Sequence, residues 1–260
     1  MNRRTLCGLS AIAFLALVLW GPVFSAAFDL VDPDADQLTV YLVNKGLFAV
    51  ALLVVLAKWD GLRNYGFERG RSWWFLLTGA PFFVLTALVA VNPESPFGLG
   101  MAAALGWILV SIFIAIGEEG VFRGLFWRAL EARGMLTTSL LTSVLFGAAH
   151  LVGVFSPIPW QIIASQAVFA AGVGMMFAAV RLVSGSLLAP IFLHALFDAG
   201  AIVAAGGVQE IFSDTMSVGR LLVPGIAFFV WGLICVLVIR RRRRTTRARP
   251  SATEVLRCAP

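Results

Sequence analysis

Eight apolar runs, each of membrane-spanning length, follow one another along this chain with connectors too short to hold a soluble domain. They fall at about 6–28, 38–57, 73–91, 100–127, 136–154, 160–181, 186–205 and 220–239. A helix needs roughly 20 apolar residues to cross the hydrocarbon core. Of the 260 residues 60% are hydrophobic and 13% charged, too little polar surface to cover a soluble domain of this size. The expected fold is all-α: a polytopic integral membrane protein of about eight transmembrane helices, with residues 1–260 forming one membrane domain. No repeat and no low-complexity linker divides it.

The charges orient these spans. Basic residues gather at Arg3 and Arg4, at Lys58, Arg63, Arg69 and Arg71, at Arg128 and Arg133, at Arg181, and in the run RRRRR at 240–244. The intervening connectors are neutral or acidic: DLVDPDADQ at 29–37, NPESP at 92–96, and the stretch holding Glu210 and Asp214. The positive-inside rule then places both termini in the cytoplasm, with Arg220 the one misfit. The net charge of +6 comes largely from the basic tail, 240–260. Next to a span, such a tail anchors against anionic lipid, and no nucleic-acid partner is expected. MNRR, an apolar run and FSAA resemble a secretory signal. The run to Phe28 is long for one, and an uncleaved first span keeps the topology consistent. Cys7, Cys235 and Cys258 are far apart, without metal-type spacing or a disulfide framework. Cys258 also lies one residue too close to the end for a prenylation box. The protein is expected in a membrane as a multi-pass chain, the plasma (inner) membrane if the cell is bacterial.

Within the spans almost nothing ionises. The exceptions are Lys45, the group Glu118, Glu119 and Arg123, then His150, His194 and Asp198; the chain's two histidines both fall in apolar runs. Each charge at the centre of a spanning helix costs about 2.5–3.5 kcal/mol on the insertion scale, so each needs a partner, a wet cavity or a task. On a helix Glu119 shares a face with Arg123 and can pair with it, while Glu118, about 100° around, points elsewhere. A buried carboxylate without a partner suits a general acid or base; a Glu–Arg clamp with Glu118 facing cytoplasmic water is the structural alternative. Phe146 and His150 share a face, as do His194 and Asp198, close enough for the carboxylate to fix the imidazole's tautomer. Gly117, Gly120, Gly124, Gly147, Gly172 and Gly174 are explained singly by close helix packing. Lys45 is read as marking a helix turn or snorkelling, with no assigned role.

Glu118-Glu119-xxx-Arg123, Phe146-xxx-His150 and His194-xxx-Asp198, in that order on successive spans, resemble the CPBP family of intramembrane proteases. That group includes the Rce-type CAAX prenyl endopeptidase and bacterial Abi proteins. The resemblance covers about 100–205, the expected catalytic core. It implies endopeptidase hydrolysis of a membrane-anchored protein or peptide near the cytoplasmic face. In that scheme Glu118, with His150, activates a water; Glu119 and Arg123 brace it; His194 and Asp198 stabilise the oxyanion. Many family members carry Asn where this chain has Asp198. An ionised Asp only accepts hydrogen bonds, so here it would hold His194, which donates.

No cofactor is expected. The alternative is a divalent metal such as zinc on Glu118, His150 and His194, although the sequence has no HExxH. Other functions compatible with these residues are a proton-coupled transporter, for which no inverted repeat is visible, and a catalytically silent immunity or scaffold protein on the same fold. The substrate's identity and the oligomeric state stay open. The predicted topology also carries a strain. His194 and Glu118 lie about eight and ten residues from the cytoplasmic ends of their spans, but His150 lies about fourteen from its own. At 1.5 Å per residue that is a mismatch of roughly 6–9 Å, unless the fifth span enters the membrane nearer Ser139.

Overall fold

The computed structural model describes residues 3–32, 36–90, 100–156, 158–207, 211 and 217–247. The expectations for Glu210, Asp214, Cys258 and the NPESP connector lie outside them. Among the described residues there is no strand. The helices are α1 (Arg3–Val31), α2 (Gln37–Trp59), α3 (Phe75–Thr78), α4 (Ala80–Ala90), α5 (Met101–Glu119), α6 (Trp127–Leu130), α7 (Met135–Ala149), α8 (Trp160–Ser184), α9 (Leu188–Ala205) and α10 (Val218–Arg247).

Seven helical stretches are long and apolar enough to cross a membrane, rather than eight: Thr5–Leu30, Gln37–Trp59, Met101–Arg133, Met135–Phe155, Trp160–Ser184, Leu188–Ala205 and Val218–Thr245. The exception is the run expected at 73–91, which is broken at Gly79 into α3 and α4. Pro81 supplies a cause, because it has no N–H to give and its ring crowds the carbonyl of Leu77. Next to the break, the carbonyl of Thr78 accepts a 2.8 Å hydrogen bond from the Trp231 indole on α10. A Cβ at residue 79 would lie 2.7 Å from Leu193 Cδ1, so the break is also where α9 presses in.

One end of the bundle collects the basic connectors. Arg128 pairs with Asp60 at 2.7 Å and donates to the Asn64 carbonyl. The Leu187 N–H donates to Gly66 O and the Arg71 N–H to Ser184 O, while Arg243 reaches Leu182 O. Leu6, near the start of α1, shares an apolar cluster with Leu56, Tyr65 and Leu125 of this end. Met101 begins α5 twenty-seven residues before Arg128, about 40 Å away along the helix. The chain must therefore pass from end to end between Arg71 and Met101, and α3 and α4 carry that passage. The crossings remain even in number, and α1 starts and α10 finishes at the same basic end, which the positive-inside rule assigns to the cytoplasm.

The depth strain disappears for a related reason. The helix that starts as α5 does not end near Arg128 but continues to Arg133, and α7 begins immediately after Gly134. Glu118 and His150 each stand sixteen positions from Gly134, so the two arms of this hairpin are equal. The α8–α9 turn is shallower and recessed. His194 lies only seven positions past Leu187, and residues 60–71 cover the turn from the cytoplasmic side. There Arg181 donates to the Tyr65 carbonyl at 3.2 Å and lies over the Trp127 ring. Gly66, at φ +94°, must be glycine, since a Cβ would stand 2.5 Å from Arg181 Nη1. Glu118, His150 and His194 therefore lie toward the middle of the bundle, not at its cytoplasmic rim.

α8 is the most buried of these helices, packed between α7 and α10. Gly172 lies directly against the Gly225 carbonyl and Gly232 against the Met175 backbone, the close approach that small residues allow. Gly172→Leu is expected to overpack this contact and lower unfolding stability in detergent by about 1–3 kcal/mol. An unchanged melting temperature would show that α8 and α10 are not in backbone contact.

Candidate active site

The site begins where an α-helix stops being one. After Glu119 the backbone widens into a π turn over Gly120–Phe126, a distortion found mostly at functional sites. Gly120, Val121, Phe122, Arg123, Gly124 and Leu125 are all buried, because α1, α7 and the segment after α2 enclose this turn. The i,i+4 spacing of Glu119 and Arg123 reads as ordinary α-helix, so sequence reasoning missed the π turn; the flanking Gly120 and Gly124 were its only trace.

Glu119 and Arg123 are both fully buried, with Oε1 to Nη1 at 3.0 Å. The rest of the guanidinium is boxed by aromatic rings, centred 4.4 Å from Phe146 and 5.9 Å from Phe122 and Phe177. Ring faces attract a cation and substitute in part for the lost water. Gly174 completes the box by omission, since a Cβ there would sit 2.8 Å from Arg123 Nη2. That glycine has a specific task beyond general packing.

The same Glu119 Oε1 that accepts from Arg123 lies 3.2 Å from His194 Nδ1. On the other side of that ring, Nε2 stands 3.4 Å from Asp198 Oδ2 and 3.8 Å from Glu118 Oε2. Glu118 therefore does not point away from Glu119's partners: the His194 ring bridges the two neighbouring carboxylates, one at each nitrogen. Two N–H donors facing carboxylates is an arrangement that an imidazolium satisfies. The Nδ1 side is at hydrogen-bond distance and fully buried, whereas the Nε2 contacts are long for N–H···O. Glu118 and Asp198 keep about a fifth of their side chains exposed. His194 is thus anchored at one nitrogen and free to turn a donor at the other.

His150 is placed differently. It closes α7, half-buried, with Nδ1 2.9 Å from the Phe146 carbonyl. Nδ1–H must donate there, so a neutral ring leaves Nε2 as an acceptor. The Phe146 ring packs edge-on against both imidazoles, 5.1 Å from His150 and 5.9 Å from His194. The structure thus brings Glu118, Glu119, Arg123, His194 and Asp198 into contact, while the Phe146 ring is what links His150 to His194.

The zinc alternative needs Glu118, His150 and His194 to share an ion. Among the described residues no three His, Cys, Asp or Glu side chains are arranged to do so. The residues as placed do not fit a metal, and no step is derived through one.

Compared with known families, residues 100–200 match the model described as type II CAAX prenyl endopeptidase Rce1-like. The match covers Glu118, Glu119, Arg123, His150, His194 and Asp198, and it is with a family of proteases. Comparison with curated proteins and with solved structures gave no match.

Removing one member of a buried pair leaves an uncompensated charge. Arg123→Met is expected to cost about 3–5 kcal/mol of unfolding stability in detergent, and Glu119→Gln on that background to recover part of it. Unaltered stability of Arg123→Met would contradict the buried pair.

Proposed function

We propose that this chain, of the Rce1-like family by its residues 100–200, is an intramembrane endopeptidase. Its substrate is a membrane-anchored protein or peptide, and the peptide bond is hydrolysed by a water that Glu118 and His150 activate. The reading rests on one observation above the others: the Glu118 carboxylate faces His194 Nε2 across 3.8 Å at the middle depth of the bundle. A substrate carbonyl brought alongside this pair meets a base and a donor from the same side.

The water gives its proton to Glu118, and His150, whose Nε2 is an acceptor, serves as the second base. Its oxygen attacks the carbonyl carbon, and the carbonyl oxygen takes the negative charge. His194 turns its Nε2–H onto that oxyanion while Glu119 keeps Nδ1 fixed. Asp198 faces the same Nε2 at 3.4 Å in the resting state and yields it when the oxyanion forms. On collapse the C–N bond breaks and the leaving amine takes the proton from the base. Glu119 and Arg123 touch no reacting atom; they hold His194 in register. The chemistry needs no cofactor beyond water.

The test is cleavage of a membrane-anchored peptide by the purified chain in detergent. Glu118→Gln, His150→Ala and His194→Ala should each lose about 100-fold or more in kcat/KM, the usual effect of deleting a general base or an oxyanion donor. Full activity in any two of them would overturn the assigned roles. No cleavage by the wild type, with substrate uptake abolished by the same substitutions, would favour the proton-coupled transporter. Neither cleavage nor uptake would favour a silent scaffold.

A further inference from the structure

Arg123 pairs with Glu119, but the edge of the cluster formed by Glu118 and Asp198 meets only the far nitrogen of His194. A basic residue of α2 stands beside that edge. Lys45 sits in an unbroken helix, so it marks no turn. It lies fifteen positions before Asp60, about 22 Å from the cytoplasmic end, which a lysine side chain cannot span. Its side chain instead lines one small pocket together with Glu118.

Lys45 and Glu118 line a small, partly open cavity of about 10 Å³, together with Leu17, Trp20, Phe113 and Gly117. That volume is about what one water needs, and a buried water needs polar partners, which the apolar lining lacks and these two charged groups supply. The approach of the two helices is built into the sequence. A Cβ on Gly117 would lie 3.0 Å from the Phe48 ring, and one on Gly46 would lie 3.2 Å from the Phe113 ring. Both glycines neighbour the charged pair in sequence and let α2 close on α5 at this level.

We propose that Lys45 is a positioning residue of the hydrolytic site: through a single water in this cavity, its ammonium balances Glu118 and holds that carboxylate facing His194. The groups facing Glu118 are then His194 and Asp198 from α9, Lys45 from α2, and Glu119 and Arg123 from its own chain segment. Lys45 touches neither substrate nor the reacting water. The inference rests on the endopeptidase reading for its kinetic consequence but not for its geometry.

Two measurements test it. In the peptide-cleavage assay Lys45→Met should lower kcat at least about 10-fold with KM nearly unchanged, and Lys45→Arg should recover most of the rate. Melting temperatures of both should stay close to the wild type. Wild-type kcat in Lys45→Met, or equal loss in Lys45→Met and Lys45→Arg, would overturn the proposal while leaving the protease reading intact. The second measurement does not depend on activity: a water-resolving experimental structure of the wild type. One water within hydrogen-bond reach of both Lys45 Nζ and the Glu118 carboxylate is the expected result. Lys45 turned toward lipid would overturn the proposal even if the chain cleaves nothing.

Discussion

The arrangement depends on one buried ion pair. Glu119 and Arg123 lie in contact with no access to solvent, in the middle of a bundle whose outer surface is lipid. Desolvating both charges is expensive, and a bare pair often fails to repay it. Here the return comes from several additions: the aromatic box on Arg123, the space left by Gly174, and a second donor, His194, on the same carboxylate oxygen. The pair thereby fixes the rotation of the helix at Glu118 and the orientation of the imidazole opposite. Reactive geometry is inherited from a structural contact.

Around that pair the bundle solves a problem of depth. A hydrolytic site within a membrane needs charges far from water, yet each must reach a common level from a different helix. The hairpin about Gly134 does this with equal arms, and the shorter α8–α9 hairpin does it with a recessed turn that residues 60–71 cover. Lys45 reaches the same level from α2. Four helices therefore deliver ionisable groups to one layer, while the residues above and below in each helix stay apolar enough for lipid.

Much of this was legible in the sequence. The apolar runs fix an all-α membrane protein, and the alternation of basic and acidic connectors fixes which ends lie together. The concentration of Glu118, Glu119, Arg123, His150, His194 and Asp198 in otherwise sparsely charged spans marks the candidate site. Other features were not legible because they depend on tertiary contact. The π turn after Glu119 keeps an i,i+4 spacing that looks α-helical. The bridge from His194 to Glu119 joins helices 75 residues apart in the chain. The partnership of Lys45 with Glu118 depends on how closely α2 meets α5, which its glycines permit but do not announce. The break at Gly79 was within reach, since Pro81 signals it, but uniform hydropathy over 73–91 hid it.

The central claim is that Glu118 and His194 act as one unit on one substrate carbonyl. A double-mutant cycle on kcat/KM for cleavage of a membrane-anchored peptide tests it directly. If the two groups serve the same transition state, Glu118→Gln combined with His194→Ala should lose little more than the worse single variant, because groups that work together are strongly non-additive. Losses that multiply would mean that the two residues act independently, and the shared site argued from their 3.8 Å separation would be contradicted.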